Sequence, residues 1–306
     1  MDVEPTFFTA SAALFGAVVG SFLNVAIYRL PRPDLTVSKP ARSQCPSCGH
    51  QIRWFENLPV ASWVALRGKC SACGWRIPVR YPTVELLTAA LFALAAWRFG
   101  PSQPGLTLVA AVVLAGLVVA TFVDFDFFEI PDEVSIGGMV LGPLASLAFP
   151  ALHAQTWLAQ RFSDPALPLG EVDRIGALVG SLGGLAVGGG VLIAIGAFGK
   201  WLYGRDAMGF GDVKLLAAGG AFVGPGGALA ALMVGSVLAS VVGMVNLIRF
   251  TCFVRRRARA RGGVRSLGRA LAVGRIAARY LPFGPYLGIG IGIVLLAWDH
   301  VRVLWP

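Results

Sequence analysis

Leu106-Thr-Leu-Val-Ala-Ala-Val-Val-Leu-Ala-Gly-Leu-Val-Val-Ala-Thr-Phe-Val123 runs for 18 residues without a charge and is closed by Asp124. At ~1.5 Å per residue a helix of this length approaches the hydrocarbon thickness of a bilayer. The same character pervades the 306-residue chain, which is 56% hydrophobic and 14% charged, with mean hydropathy +0.71. Soluble domains carry about 25% charged residues, so the sequence reads as an all-α polytopic membrane protein. Its 39 glycines lie inside the apolar runs, where they permit close helix packing. The net charge of +10 raises the question of nucleic acid. The basic residues gather in loops between apolar segments, the pattern of the positive-inside rule, so no nucleic-acid partner is expected.

Outward from that stretch, further apolar runs fall at 7–28, 83–99, 133–152, 172–198, 213–224, 226–250 and 281–304, making about eight transmembrane helices. Met1-Asp-Val-Glu-Pro5 lacks the positive segment of a cleaved signal, so the first run is expected to persist. Ser21 and Asn24 should face other helices rather than lipid. Gly16 with Gly20, and Gly176, Gly180, Gly184 and Gly188, have the spacing of helix-packing faces. No internal repeat is visible. Loop 31–82 carries Arg32, Lys39, Arg42, Arg53, Arg67, Lys69, Arg76 and Arg80 against Asp34 and Glu56, and 251–280 carries nine arginines and no acid. Both vote for the cytoplasm, which puts 124–132 and 199–212 on the same side and 100–105 and 153–171 outside.

Cys45-Pro-Ser-Cys48 and Cys70-Ser-Ala-Cys73 stand 21 residues apart, each followed by a glycine, Gly49 or Gly74. Two such knuckles can bring four thiolates into a tetrahedron, which suits zinc. With all four positions taken by Cys45, Cys48, Cys70 and Cys73 the expected ion is structural, the staple of a loop too small for its own core. Cys252 stands alone near a helix end.

Asp124 closes one apolar run, and Met208-Gly-Phe-Gly-Asp-Val-Lys214 delivers Asp212 to the start of another. Two carboxylates brought together at a membrane edge would share a proton, the machinery of an aspartic protease. Each also reads as structure. Asp212 could cap the helix starting at Val213, and Asp132, after Pro131, could cap the fourth. Against capping alone, Gly209 and Gly211 would let another backbone approach, as a peptide substrate requires.

The chain resembles the bifunctional prepilin leader peptidases, also called type IV prepilin peptidases, membrane aspartic proteases of the Gly-x-Gly-Asp type. The resemblance runs through Gly20-Ser-Phe-Leu-Asn-Val-Ala-Ile-Tyr-Arg-Leu-Pro31, Cys45-Pro-Ser-Cys-Gly-His50, Asn57-Leu-Pro59, Ser62-Trp63 and Leu66-Arg-Gly-Lys-Cys70. It continues through Arg80-Tyr-Pro-Thr-Val-Glu-Leu86, Val123-Asp124, Ile130-Pro-Asp132, Gly209-Phe-Gly-Asp-Val-Lys-Leu-Leu216 and Pro282-Phe-Gly-Pro285. By position it implies Asp124 and Asp212 as the catalytic pair. It further implies cleavage of the basic leader of type IV prepilins, or of type II secretion pseudopilins, at the cytoplasmic face of a bacterial inner membrane. The substrate's transmembrane helix and membrane lipid would be partners, and the new amine would be methylated with S-adenosylmethionine. Val123 and Phe210 depart mildly from the common pattern. The implied domains are a first helix (1–30), a zinc loop (31–82) and a membrane protease domain (83–306). No glycine fingerprint for the methyl donor is present, and its site is expected near the zinc loop. The acids Asp126, Glu129 and Asp132 are expected to meet the leader's lysines. A proton-coupled transporter would also use intramembrane aspartates, but it leaves the four cysteines without a role and predicts flux without proteolysis. A zinc-loop scaffold of a pilus or secretion assembly would use the acids only as caps.

Overall fold

A computed structural model describes residues 3–32, 34–38, 42–168, 170–204, 208–260 and 282–301. Every regular element among the described residues is helical. In chain order they are α1 (Val3–Arg29), α2 (Ala61–Ala65), α3 (Arg80–Phe99), α4 (Pro104–Phe127) and α5 (Asp132–Ala148), then α6 (Trp157–Phe162), α7 (Arg174–Tyr203), α8 (Phe210–Ala260) and α9 (Gly284–Val301). Each expected apolar run is found in a helix. Five of the helices are long and apolar enough to cross a membrane, against the eight spans expected. The difference lies in α5 at 17 residues, in the short apolar part of α9, Gly284–Ala297, and in α8, which spans two runs. α8 is interrupted where expected: Gly224 takes φ 75° and ψ 177°, a left-handed setting that glycine adopts without cost, and Pro225 follows without an N–H. The fourth run stops early because Phe149 and Pro150 turn into the 3-10 segment Pro150–His153. Residues 251–260 continue α8 rather than forming a loop, and the arginines of 261–280 lie outside the described residues.

α4 is the hub. Its apolar window is 61% buried, against 22–39% for the other four spans, as befits a helix apolar on all sides. One core joins it to α8 and α9 through Leu114, Leu117, Leu216, Leu287 and Ile291. The other joins it to α1 and α3 through Leu23, Ile27, Val84, Val119 and Val123. The glycine stripe of α7 is a packing surface, as expected. A Cβ on Gly184 would stand 2.0 Å from the Gly220 carbonyl oxygen of α8, so only glycine lets the helix carrying Asp212 lie this close. Asn24 is buried and donates from Nδ2 to the Tyr81 carbonyl at 3.1 Å, so it faces α3 as its polarity required.

Candidate active site

Asp124 sits in the last turn of α4. That helix ends at Phe128, which adopts φ 57° and returns its N–H to the Asp124 carbonyl at 3.0 Å. The Asp124 side chain is 6% exposed, and its Oδ2 accepts the Gly284 N–H at 3.0 Å. Gly284 opens α9, so this N–H is one that no carbonyl of its own helix can satisfy. A carboxylate at a helix N-terminus is also favoured by the helix dipole. A Cβ on Gly284 would stand 2.6 Å from that same Oδ2. Gly284 is a site residue that sequence reasoning missed as such, although the Pro282-Phe-Gly-Pro285 motif had marked the place.

Asp212 is half-buried in the first turn of α8. The helix starts at Phe210, so Asp212 lies inside it instead of capping it at Val213. Asp132 likewise is the first residue of α5, behind Pro131 at the cap. The two glycines beside Asp212 serve the chain's own packing. A Cβ on Gly211 would be 3.3 Å from Ile130 Cβ, and one on Gly209 would be 3.3 Å from Asp212 Oδ2. They admit the 124–132 turn, and with it Asp124, to the start of α8.

Both carboxylates therefore line one cleft of about 560 Å³, close enough for the charge of Asp124 to act on Asp212. The end of α1 (Leu30, Pro31), the turn Phe128–Glu133 and the start of α8 form its walls. Among the described residues Asp124, Glu129, Asp132, Glu133 and Asp212 line it against one cation, Lys214, so the cleft favours a basic ligand. Lys214 pairs with Asp132, not Asp212, and Asp126 pairs with Arg80 of α3. Two of the three acids expected to meet leader lysines are thus already matched internally. Exposed Glu129 and Glu133 are the better placed pair.

In the 31–82 loop the four expected thiols converge. The Sγ atoms of Cys45, Cys48, Cys70 and Cys73 all lie within 4.8 Å of one another, and Cys45 and Cys73 are 3.9 Å apart. Four Zn–S bonds of about 2.3 Å in a tetrahedron place sulfurs ~3.8 Å apart, so the cluster fits such an ion. The knuckles repeat each other. Cys45 N–H bonds the His50 carbonyl and Gly49 N–H bonds the Cys45 carbonyl; Cys70 with Trp75, and Gly74 with Cys70, do the same. Gly49 and Gly74 both take φ 71°. Bridges Gln44 to Gln51 and Lys69 to Arg76 pinch the two turns. This is a small internal repeat, faint in the sequence, where beyond the cysteines and glycines only Arg42 with Arg67 and Ile52 with Ile77 coincide. The Cys73 and Ala72 amides draw the Cys70 thiol down to about 6, giving the thiolate a metal takes. At Cys48 the His50 amide acts the same way, but the neighbouring thiols, led by Cys73, and burial push it up to about 12. Without a cation the cluster holds protons that a cation would displace.

Membrane-length helices, paired aspartates at two helix ends in one cleft and a four-thiol loop define a polytopic membrane protein of the paired-aspartate class. A family model described as the bacterial peptidase A24 N-terminal domain matches residues 14–99. The chain is 35% identical to the prepilin leader peptidase/N-methyltransferase of Pseudomonas putida, over 98% of this chain and 94% of that protein. It is 34% identical to the protein of that name from Stutzerimonas stutzeri, over 97% and 93%. The identity to its counterpart in Neisseria gonorrhoeae is 32%, over 98% and 94%. No solved structure matches the chain. The chain belongs to the prepilin leader peptidase/N-methyltransferase family.

Proposed function

We propose that this protein is a membrane aspartic endopeptidase that removes the basic leader of type IV prepilins or type II secretion pseudopilins, then methylates the exposed amine with S-adenosylmethionine. The observation that carries the reading is the meeting of Asp124 and Asp212 in one acidic cleft at the ends of α1, α4 and α8, within a family named for this activity. The chain resides in a bacterial inner membrane with this cleft toward the cytoplasm. The substrate's transmembrane helix reaches the cleft through lipid. The first helix (1–30) and the loop (31–82), with zinc on Cys45, Cys48, Cys70 and Cys73, flank a protease region (83–306).

Two carboxylates this close share one proton. The ionised one takes a proton from water as the water oxygen attacks the scissile carbonyl carbon. The protonated one donates to the carbonyl oxygen and a proton then passes to the leaving nitrogen as the C–N bond breaks. The titration belongs to the pair, and Gly284 positions it by fixing one oxygen of Asp124. S-Adenosylmethionine supplies the methyl group for the second step.

Incubating the purified protein in detergent with a prepilin-like substrate should release the leader. Adding S-adenosylmethionine should add the mass of one methyl group to the new N-terminus. An intact substrate would remove the proteolytic reading and return the transporter or scaffold to consideration. Gly284→Ala tests the positioning. A methyl group 2.6 Å from Asp124 Oδ2 must push the carboxylate aside, and a shift of about 1 Å costs on the order of 10²-fold in rate. The colliding atoms are side-chain ends, so the thermal transition should barely move. Wild-type cleavage by Gly284→Ala would show that the contact does not matter.

A further inference from the structure

Asp212 lies in the first turn of α8, where the leading N–H groups have no carbonyl of their own helix to bond and the backbone is least held. Unlike Asp124, its carboxylate accepts no hydrogen bond among the described residues, so the placement of the helix start is what aims it. Behind this turn α8 runs beside α5. A Cβ on Gly138 would stand 2.9 Å from Ala218 Cβ, and one on Gly142 would stand 2.5 Å from Ala221 Cβ. Residue numbers rise together along this seam, so the two helices are parallel, and glycine meets alanine in a smooth contact. Val213, Leu215 and Leu216 are buried beside it. Such apolar contacts hold the helices together without pointing any group in a particular direction. One directional contact stands at the end of the seam that carries Asp212. Lys214 Nζ pairs with the carboxylate of Asp132, the first residue of α5, and lies 5.6 Å from the Phe210 ring centroid. The Lys214 side chain is 19% exposed, so its stem is packed and its charge is aimed. A cation in a cleft that favours a basic ligand works against that ligand, and its presence is accounted for by a role toward the cleft's own residues.

We propose that Lys214 is a positioning residue for the aspartate pair, pinning the first turn of α8 to Asp132 and so setting how closely Asp212 approaches Asp124. The inference rests on the proteolytic half of the proposed function. The segment from Asp124 to Asp132 carries one catalytic carboxylate at its start and the anchor for Lys214 at its end. Fastening α8 to Asp132 therefore fastens it to the segment that holds the other carboxylate, and Gly211 against Ile130 closes the same joint from its apolar side. Each aspartate is then placed by its own tie, Asp124 by the Gly284 N–H of α9 and Asp212 through Lys214. Two carboxylates that share a proton must both reach one water, and a displacement of about 1 Å costs on the order of 10²-fold in rate. Without the ion pair α8 keeps its seam with α5, so the fold survives and the register of the two carboxylates is what is lost. Lys214 exchanges no proton in this scheme.

The test is steady-state cleavage of a prepilin-like substrate by the full-length protein in detergent, with kcat and KM determined separately. Lys214→Met keeps a stem beside Phe210 and removes the charge. Asp132→Asn keeps the shape of a side chain that is 58% exposed, so it leaves folding intact. Each should lower kcat about tenfold or more, and the double variant should be little worse than either single one, because both remove the same contact. KM should hold or fall in Lys214→Met, since a cation leaves a cleft that takes a basic leader. Lys214→Arg keeps a cation for Asp132 and should recover most of the rate, which loss of the pair's charge alone explains. Thermal transitions on the same preparations should stay near that of the wild type. If Lys214→Met does not fold, Asp132→Asn and Lys214→Arg decide the matter between them. An unchanged kcat in Asp132→Asn, losses that add in the double variant, or a rate loss accounted for by unfolded protein would overturn the positioning role while leaving leader cleavage standing. A wild type that leaves the substrate intact would remove the proteolytic reading and this inference with it.

Discussion

Asp124→Asn and Asp212→Asn, each alone, should reduce leader removal by roughly 10²–10⁴-fold or more, because a pair that passes one proton back and forth cannot work as a single carboxylate. The double variant should be little worse than either single one, since groups acting as a unit are not additive. Asparagine has the shape of aspartate and its amide oxygen can still accept the Gly284 N–H, so Asp124→Asn keeps its contact with α9. Asparagine removes a carboxyl group that is costly to bury beside another, so both proteins should melt at or above the wild-type temperature. The decisive measurement is leader release by mass spectrometry, with thermal unfolding on the same preparations. Either variant retaining more than about a tenth of the wild-type rate would remove that residue from the catalytic pair.

Much of this arrangement was legible because membrane chemistry is blunt. A run such as Leu106–Val123 has few alternatives to a helix, and a charge at its end needs a polar setting. Four cysteines in two knuckles announce their own geometry. What stayed hidden depends on contacts between distant segments. Nothing local to Gly284 says that its N–H will meet Asp124, 160 residues earlier, and nothing local to Lys214 says it will choose Asp132 over Asp212 two positions away. A packing role of Gly209 and Gly211 stayed hidden for the same reason. Their missing side chains make room for Ile130 and for Asp212 itself, which only the packed structure shows. Hydropathy marks apolar stretches, whereas helix length depends on where Gly224, Pro150 and the α9 start interrupt the backbone, so five membrane-length helices stand against eight expected apolar runs.

Removing the metal should unfold the cysteine loop while leaving the helix bundle in place. Between residues 42 and 79 the only buried ones among the described residues are Cys45 and Gly68, and Trp54, Phe55, Leu58, Val64 and Val79 are exposed. That is no hydrophobic core, so the loop depends on its four thiolates. Structural zinc contributes on the order of 10–16 kcal/mol to small cysteine-bound folds, as much as the whole stability of a typical domain. Cys45→Ser, Cys70→Ser or a strong chelator should therefore abolish hydrogen-exchange protection across 42–79, and the wild type should carry one zinc per chain. Acid should do the same, because protons compete for the thiolates that hold the ion. The aspartate cleft is built from α1, α4, α8 and α9, so leader cleavage should decline far less than loop protection. A metal-free Cys45→Ser protein with a protected loop would show that packing against α1 and α3 suffices. Loss of leader cleavage in that metal-free protein would mean that the loop also positions the prepilin.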